Sequence, residues 1–142
     1  MKATELRINN YVNHPRLGSG YVEWIILKGG DYHIHIRLFE PILEEQDVQT
    51  WSIEAEINDF LFIPLTEQWL KDFGFKKANH IAQDGYYIPN TDIIFTGRIT
   101  KLRQNLGLIG YDRNIHYVHQ LQNLYFALTG KELILQKSKE ND

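Results

Sequence analysis

Two histidines set two residues apart, His33 and His35, are the first residues of this chain whose spacing suggests chemistry. On a strand they share a face, and two imidazoles so placed can hold one ion if further ligands stand close by. The chain has no cysteine and no clustered acids beside the pair. His80, His116 and His119 lie far away in sequence without a supporting pattern. Neither a metal nor any other cofactor is therefore expected.

Covalent catalysis has equally little to work with. The serines are Ser19, Ser52 and Ser138. Ser19 sits in Leu17-Gly18-Ser19-Gly20-Tyr21, where no helix follows, so the stretch is neither a nucleophile elbow nor a phosphate cradle. An acid/base pair among 18 acids and six histidines carries no mark in the sequence, and no motif requires an enzyme.

Charge is unevenly spread. The net charge is −3, yet from Glu40 to Glu67 there are eight acids and no Lys or Arg, which leaves +5 for the remainder. Such a block is either a solvated surface or, to a basic partner, an anionic strip. A smaller basic group, Arg98, Lys101 and Arg103, together with Tyr86 and Tyr87, is the material from which a surface for single-stranded nucleic acid is made. The negative overall charge and the demand of a core for aromatic side chains weigh against that use.

These residues need elements to hold them. Leu6 and Ile8 alternate with Glu5 and Arg7, which predicts a first strand, turned at Asn9-Asn10 before Tyr11-Val12. Pro15 and Gly18-Ser19-Gly20 predict a loop. Tyr21–Leu27 and Tyr32–Phe39 flank Lys28-Gly29-Gly30-Asp31, a two-residue hairpin signal because both central positions need positive φ. Counting outward from Lys28 opposite Asp31 places Ile26 opposite His33, Trp24 opposite His35 and Val22 opposite Arg37. One face of the hairpin then carries Ile25, Leu27, Tyr32, Ile34, Ile36 and Leu38 and reads as core. The other carries Trp24, His33, His35 and Arg37, an aromatic anchor beside an arginine, as protein interfaces often do. Pro41 is expected to end the strand. Trp51 to Ile57 alternates with period two and predicts a half-exposed strand.

In the second half, Thr66 is a good N-cap, Leu65 a staple partner for Leu70, and Gly74 a stop signal for a short helix. Turn signals then separate Tyr86–Ile88, Asp92–Thr96, Ile99–Arg103 and Leu106–Tyr111, the spacing of an antiparallel meander. Asn114 predicts the start of a helix over Ile115–Thr129, closed by Gly130, and a last strand is expected at Glu132–Gln136. On that helix Tyr117, Val118, Leu121, Leu124, Tyr125 and Leu128 form an apolar stripe, with His116, His119, Gln120 and Asn123 on the other side. No charged residue occurs from Asn114 to Thr129, so the polar side is expected to be buried as well, against the N-terminal lobe, a second copy or a partner.

The fold expected is therefore α+β. An N-terminal SH3-like antiparallel β lobe with the acidic segment (1–62) precedes an antiparallel sheet packed by one short and one long helix (63–136) and a frayed tail (137–142), the alternative being that the two lobes form one composite domain. The start, Met1 to Val12, is too polar for a signal-peptide core, and no apolar run approaches the ~20 residues that cross a bilayer, so a cytoplasmic protein without a membrane partner is expected.

Three blocks, ELRINNYV near the start, IPLTEQWLKDFGF in the middle and YVHQLQNLYFALTGKEL near the end, resemble a family of small uncharacterised proteins carried by phages and prophages of gut Bacteroidetes. The third block is the most specific. The resemblance implies a phage-encoded accessory protein acting in the bacterial host cytoplasm, and it carries over no catalytic residue. Taken with the hairpin face and the uncharged helix flank, the expected function is non-catalytic: a protein-interaction or self-assembling factor using Trp24, His33, His35, Arg37, His116, His119, Gln120 and Asn123. A nucleic-acid-binding module is the alternative, and a small enzyme the third reading.

Overall fold

A computed structural model describes residues 5–43, 48–77, 85–87, 94–99, 104–108 and 115–136, with 94–99 and 104–108 described by their strand pairing. The chain forms β1 (Tyr11–His14), β2 (Gly18–Lys28), β3 (Asp31–Leu43), β4 (Gln49–Glu56), a 3-10 turn at Ile57–Asp59 and β5 (Leu61–Phe62). These five strands make one antiparallel sheet in the order β4-β3-β2-β1-β5. The fold is mixed α+β, with two helices among the described residues.

The β2–β3 hairpin is built on its turn. Gly29 and Gly30 take φ of 57° and 91°, conformations open to glycine, and Lys28 stands opposite Asp31. The expected register holds through Trp24 opposite His35 and then slips by one residue, so that Val22 faces Ile36 and Tyr21 faces Arg37. An unbroken count would send Glu23 to the core side and Val22 away from it. A bulge between Val22 and Trp24 corrects this, and Val22 is fully buried beside Ile34 and Ile36. Leu27 and Tyr32, counted as core from the sequence, are exposed: they flank the Gly29-Gly30 turn at the hairpin tip and belong to neither buried cluster.

Gly18-Ser19-Gly20 is strand rather than loop. Gly18 to Gly20 pair with His14 to Val12, and Gly20 also lies opposite Leu38 of β3. Here β3 passes so close that a Cβ on Gly20 would strike the Arg37 carbonyl oxygen and come within 2.9 Å of the Leu38 Cα. Pro41 likewise does not end β3; it sits in the irregular stretch between the Arg37–Ser52 and Ile42–Thr50 pairs, where it owes the ladder no N–H. Leu6–Ile8 is no strand. Asn9 adopts the left-handed conformation (φ 75°) and the Asn10 side chain accepts the Arg7 N–H at 2.7 Å, a local turn that outcompetes extension.

β1 faces two cores at once. Val12 belongs to one cluster, with Val22, Ile34, Ile36 and Phe60, while its neighbour Tyr11 belongs to the other, with Leu65, Leu70, Phe73, Val118 and Leu121. Strand alternation makes this automatic, since adjacent residues point to opposite sides of the sheet.

The second cluster is gathered by α1 (Glu67–Asp72) and α2 (Val118–Thr129). Thr66 caps α1, its hydroxyl accepting the Trp69 N–H at 3.3 Å, and Gly74 (φ 90°) closes it with the Phe75 N–H donating to the Leu70 carbonyl at 2.9 Å. Between the helices runs a meander in the order β6-β7-β8-β9: β6 (Lys76–Lys77), β7 (Gly85–Tyr87), β8 (Ile94–Ile99) and β9 (Gln104–Leu108). β8 passes through Gly97 to Ile99, where the sequence suggested two strands. The helix expected from Ile115 begins later, at Val118, because Ile63–Leu65 and His116–Val118 pair instead: the Leu65 N–H donates to the His116 carbonyl and the Val118 N–H to the Ile63 carbonyl, each at 2.9 Å. Glu132–Gln136 joins no ladder among the described residues; Leu133 is buried and the Gln136 N–H donates to the Asp72 carbonyl at 2.7 Å. His80, Lys101, Arg103, Asn114 and residues 137–142 lie outside the described residues.

Substituting Gly20 by Ala should cost about 3 kcal/mol or more, since the obstruction is backbone and cannot rotate away. Urea unfolding of Gly20→Ala against Ser19→Ala measures it, and a loss below about 1 kcal/mol would contradict the close approach.

Candidate functional site

One side of the five-stranded sheet is divided between two environments. At the β1 end, Tyr11 and Tyr21 point from it into the cluster formed by α1, α2 and Leu133. At the other end, the same side carries Trp24, His33, His35 and Arg37, and the described helices stop short of them. Trp24 is 43% exposed and Arg37 is exposed, while His33 and His35 are half-buried. The described residues of the C-terminal half thus pack on the sheet at Tyr11 and Tyr21, and none of them joins a buried cluster with the hairpin face beyond.

Cross-strand pairing aligns that face in rows. Trp24, His35 and Glu54 lie opposite one another across β2, β3 and β4; Ile26, His33 and Glu56 form the next row. The indole of Trp24 stacks on the His35 imidazole, with ring centroids 3.7 Å apart and planes 20° from parallel. Glu23, turned outward by the bulge, brings a carboxylate oxygen to 3.6 Å from His35 Nε2. Lys28 Nζ donates to Glu54 at 2.7 Å, and that bond holds the Glu54 carboxyl below the usual carboxylate range. The Arg37 guanidinium lies 5.9 Å from the ring centroid of Trp51, a second indole with 40% exposure.

No group of three or more metal-ligating side chains occurs among the described residues. A cleft of about 530 Å³ is lined by Asn13, Ser19, Phe60–Pro64 and Tyr117; its Ser19 hydroxyl donates to Asn13 Oδ1 at 2.9 Å, and among the described residues no histidine or carboxylate lines it to activate that hydroxyl.

The polar flank of α2 is spent inside the chain. Gln120 reaches back over the helix start, its Oε1 accepting the N–H groups of His116 (2.8 Å) and Tyr117 (3.1 Å), so it acts as a cap. Asn123 Oδ1 accepts from Asn10 Nδ2 at 2.8 Å and from Arg7 Nε at 3.2 Å. Arg7 also pairs with Glu132 and lies 4.2 Å over the Phe126 ring. His119 is 1% exposed, stacked 4.0 Å from Phe62, with neither ring nitrogen hydrogen-bonded. His116 alone of the four is exposed.

The decisive residue on this flank escaped the sequence reading. Gln122, 1% exposed, accepts the Tyr11 N–H with Oε1 at 2.8 Å and donates Nε2 to the Asn9 carbonyl at 3.1 Å. Its amide takes the place of a strand rung on the side of β1 that the two-residue β5 is too short to reach. The only sequence signal was the lack of charge along the whole helix. Trp51, Glu54 and Glu23 were also missed, because nothing in the sequence shows that β4 pairs with β3 or that β2 is bulged.

Of the residues proposed for nucleic acid, Tyr86 is buried and its hydroxyl donates to Glu67 at 3.4 Å, Tyr87 is half-buried, and Arg98 stands on β8 opposite Asn105.

Comparison with protein-family models, with curated proteins and with solved structures finds no match.

Two outcomes follow from the α2 flank. Gln122→Leu should cost about 2–4 kcal/mol in urea unfolding, because it strands a buried N–H and a buried C=O, against about 1 kcal/mol for the cap variant Gln120→Ala; equal losses would deny Gln122 its rung. Burial pulls the His119 imidazole down to about 4. Between the unfolded value near 6.5 and that point the unfolded chain takes up a proton that the folded chain refuses, so stability is complete above pH 6.5 and falls toward pH 4. His119→Leu should remove up to about 3 kcal/mol of that acid-side loss, read from melts at pH 7 and pH 4.5, and parallel losses in both proteins would rule it out.

Proposed function

We propose that this chain is a non-catalytic accessory factor that binds a protein partner through the open end of the β2–β3–β4 face. The observation that carries the reading is the Trp24 indole, 43% exposed and seated on His35, whereas Tyr11 and Tyr21 at the β1 end of the same sheet side pack into the cluster built from α1 and α2. A large aromatic ring already fixed in place loses little entropy on binding, and an arginine beside a second exposed indole completes the composition that interfaces favour. The strand order, with a 3-10 turn before a short β5 that returns to β1, supports the SH3-like reading of the N-terminal sheet. The resemblance to phage and prophage proteins of gut Bacteroidetes supplies the setting: the cytoplasm of a bacterial host.

Nucleic acid suits this face less well, since Glu23, Glu54 and Glu56 stand among its cations and would repel a phosphate backbone.

The test is a double variant, Trp24→Ala with Arg37→Ala, compared with the parent for retention of host-lysate proteins and then in titration against the protein retained. Both residues lie outside the two buried clusters, so the melting point should move by no more than a few degrees while partner affinity falls at least tenfold. Unchanged retention, or retention of nucleic acid alone, would overturn the reading.

A further inference from the structure

The sheet has two edges, and they are not alike. β5 is two residues long, and its Phe62 stacks on His119 of α2. β4 runs for eight residues, Gln49–Glu56, and no described strand or helix pairs with its outer edge. An open strand of that length presents a row of unused N–H and C=O groups, and proteins ordinarily blunt such an edge with lysine, proline or a covering element. β4 contains neither lysine nor proline. Its charges are Glu54 and Glu56, both on the side of the sheet that bears Trp24 and His33. It also lies inside the stretch Glu40–Glu67, which has eight acids and no Lys or Arg.

We infer that the outer edge of β4 accepts an extended, basic segment of a partner protein as a sixth strand. The main-chain groups of β4 supply the ladder, and the side chains supply the choice of partner. Cationic residues at alternate positions of the incoming strand meet Glu54 and Glu56 on one side. Apolar residues at the positions between continue the row of Ile53 and Ala55 on the other, where both pack against the first core. A second copy of this chain fits worse, because β4 laid antiparallel on β4 gathers four glutamates on one face. This inference rests on the reading of the chain as a protein-binding factor and adds the shape and charge of what is bound.

The experiment uses the full chain, labelled with ¹⁵N, and a capped nine-residue peptide of alternating Lys and Val as the probe, at low salt. Two further peptides carry N-methyl groups on every second residue, one in each phase, and a third replaces Lys by Glu. The expected result is that the parent peptide shifts and slows exchange of the amides of residues 49–56. One N-methyl phase should bind at least tenfold more weakly and the other like the parent, because only one row of peptide N–H groups faces β4. The Glu peptide should also lose at least tenfold, and Glu54→Gln with Glu56→Gln should weaken the Lys peptide several-fold. Binding that ignores both methylation phases, shifts confined to residues outside β4, no binding at all, or a dimer formed through β4 without peptide would each overturn the inference. The Trp24/Arg37 double variant separates the two claims: peptide binding kept while the lysate partner is lost sustains the edge and the face alike, and a partner retained by that variant overturns the face without touching the edge.

Discussion

A single side-chain amide lets two cores share one strand. β1 is four residues long, and its alternation commits Val12 to one apolar cluster and Tyr11 to the other. A strand buried on both faces needs its backbone paired on both edges, since an orphaned N–H in such a place costs on the order of 1–3 kcal/mol. β2 pairs one edge in full. On the other, β5 reaches only Val12 and Asn13, and Gln122 of α2 supplies what is missing at Tyr11 and Asn9. The packing of α2, the placement of Tyr11 and the closure of the sheet are thereby one arrangement.

Around that bond the polar groups of the seam are arranged so that few are left wanting. Asn123 binds Asn10 and Arg7, Arg7 binds Glu132 and covers Phe126, and the Arg7 guanidinium holds the Glu132 carboxyl below the usual carboxylate range. Tyr11 meets the Leu135 backbone at its hydroxyl, while burial pushes that hydroxyl's pKa up. His119 is the exception, an imidazole kept neutral by an apolar site between Phe62 and Tyr117. The seam consumes most of the α2 flank, while the far end of the sheet, with Trp24 and Arg37, lies outside both buried clusters; the proposed partner surface and the stabilising seam stand at opposite ends of one sheet.

How much of this was legible depends on whether a local rule or a tertiary contact decides. The hairpin was legible because Gly29-Gly30 admits one tight turn, and α1 because Thr66, Leu65 and Gly74 agree on its limits. The bulge at Glu23 was not, since a period-two count has no means of inserting a residue until the core refuses a carboxylate. Gly18-Ser19-Gly20 read as loop because glycine is a poor strand former; here it serves the close passage of β3. Asn114 gave a false start to α2 because the pairing of His116 with Leu65 is non-local. Of the polar flank of α2 expected to be buried, His119 is buried, Gln120 and Asn123 are half-buried and His116 is exposed, while the residue that matters most, Gln122, looked no different from Gln120. Glu54 entered the face only through the pairing of β4 with β3, and Trp51 came near Arg37 only through the folded sheet; no motif announces either.

The amide proton of Tyr11 reports most directly on the claim that the Gln122 amide completes β1. Native-state hydrogen exchange should find it among the slowest in the protein, released only by global unfolding and as protected as the amides of Ile34 and Ile36. Exchange orders of magnitude faster, on the scale of the hairpin tip at Gly29-Gly30, would show that β1 ends in an open edge and that the seam is held by something else.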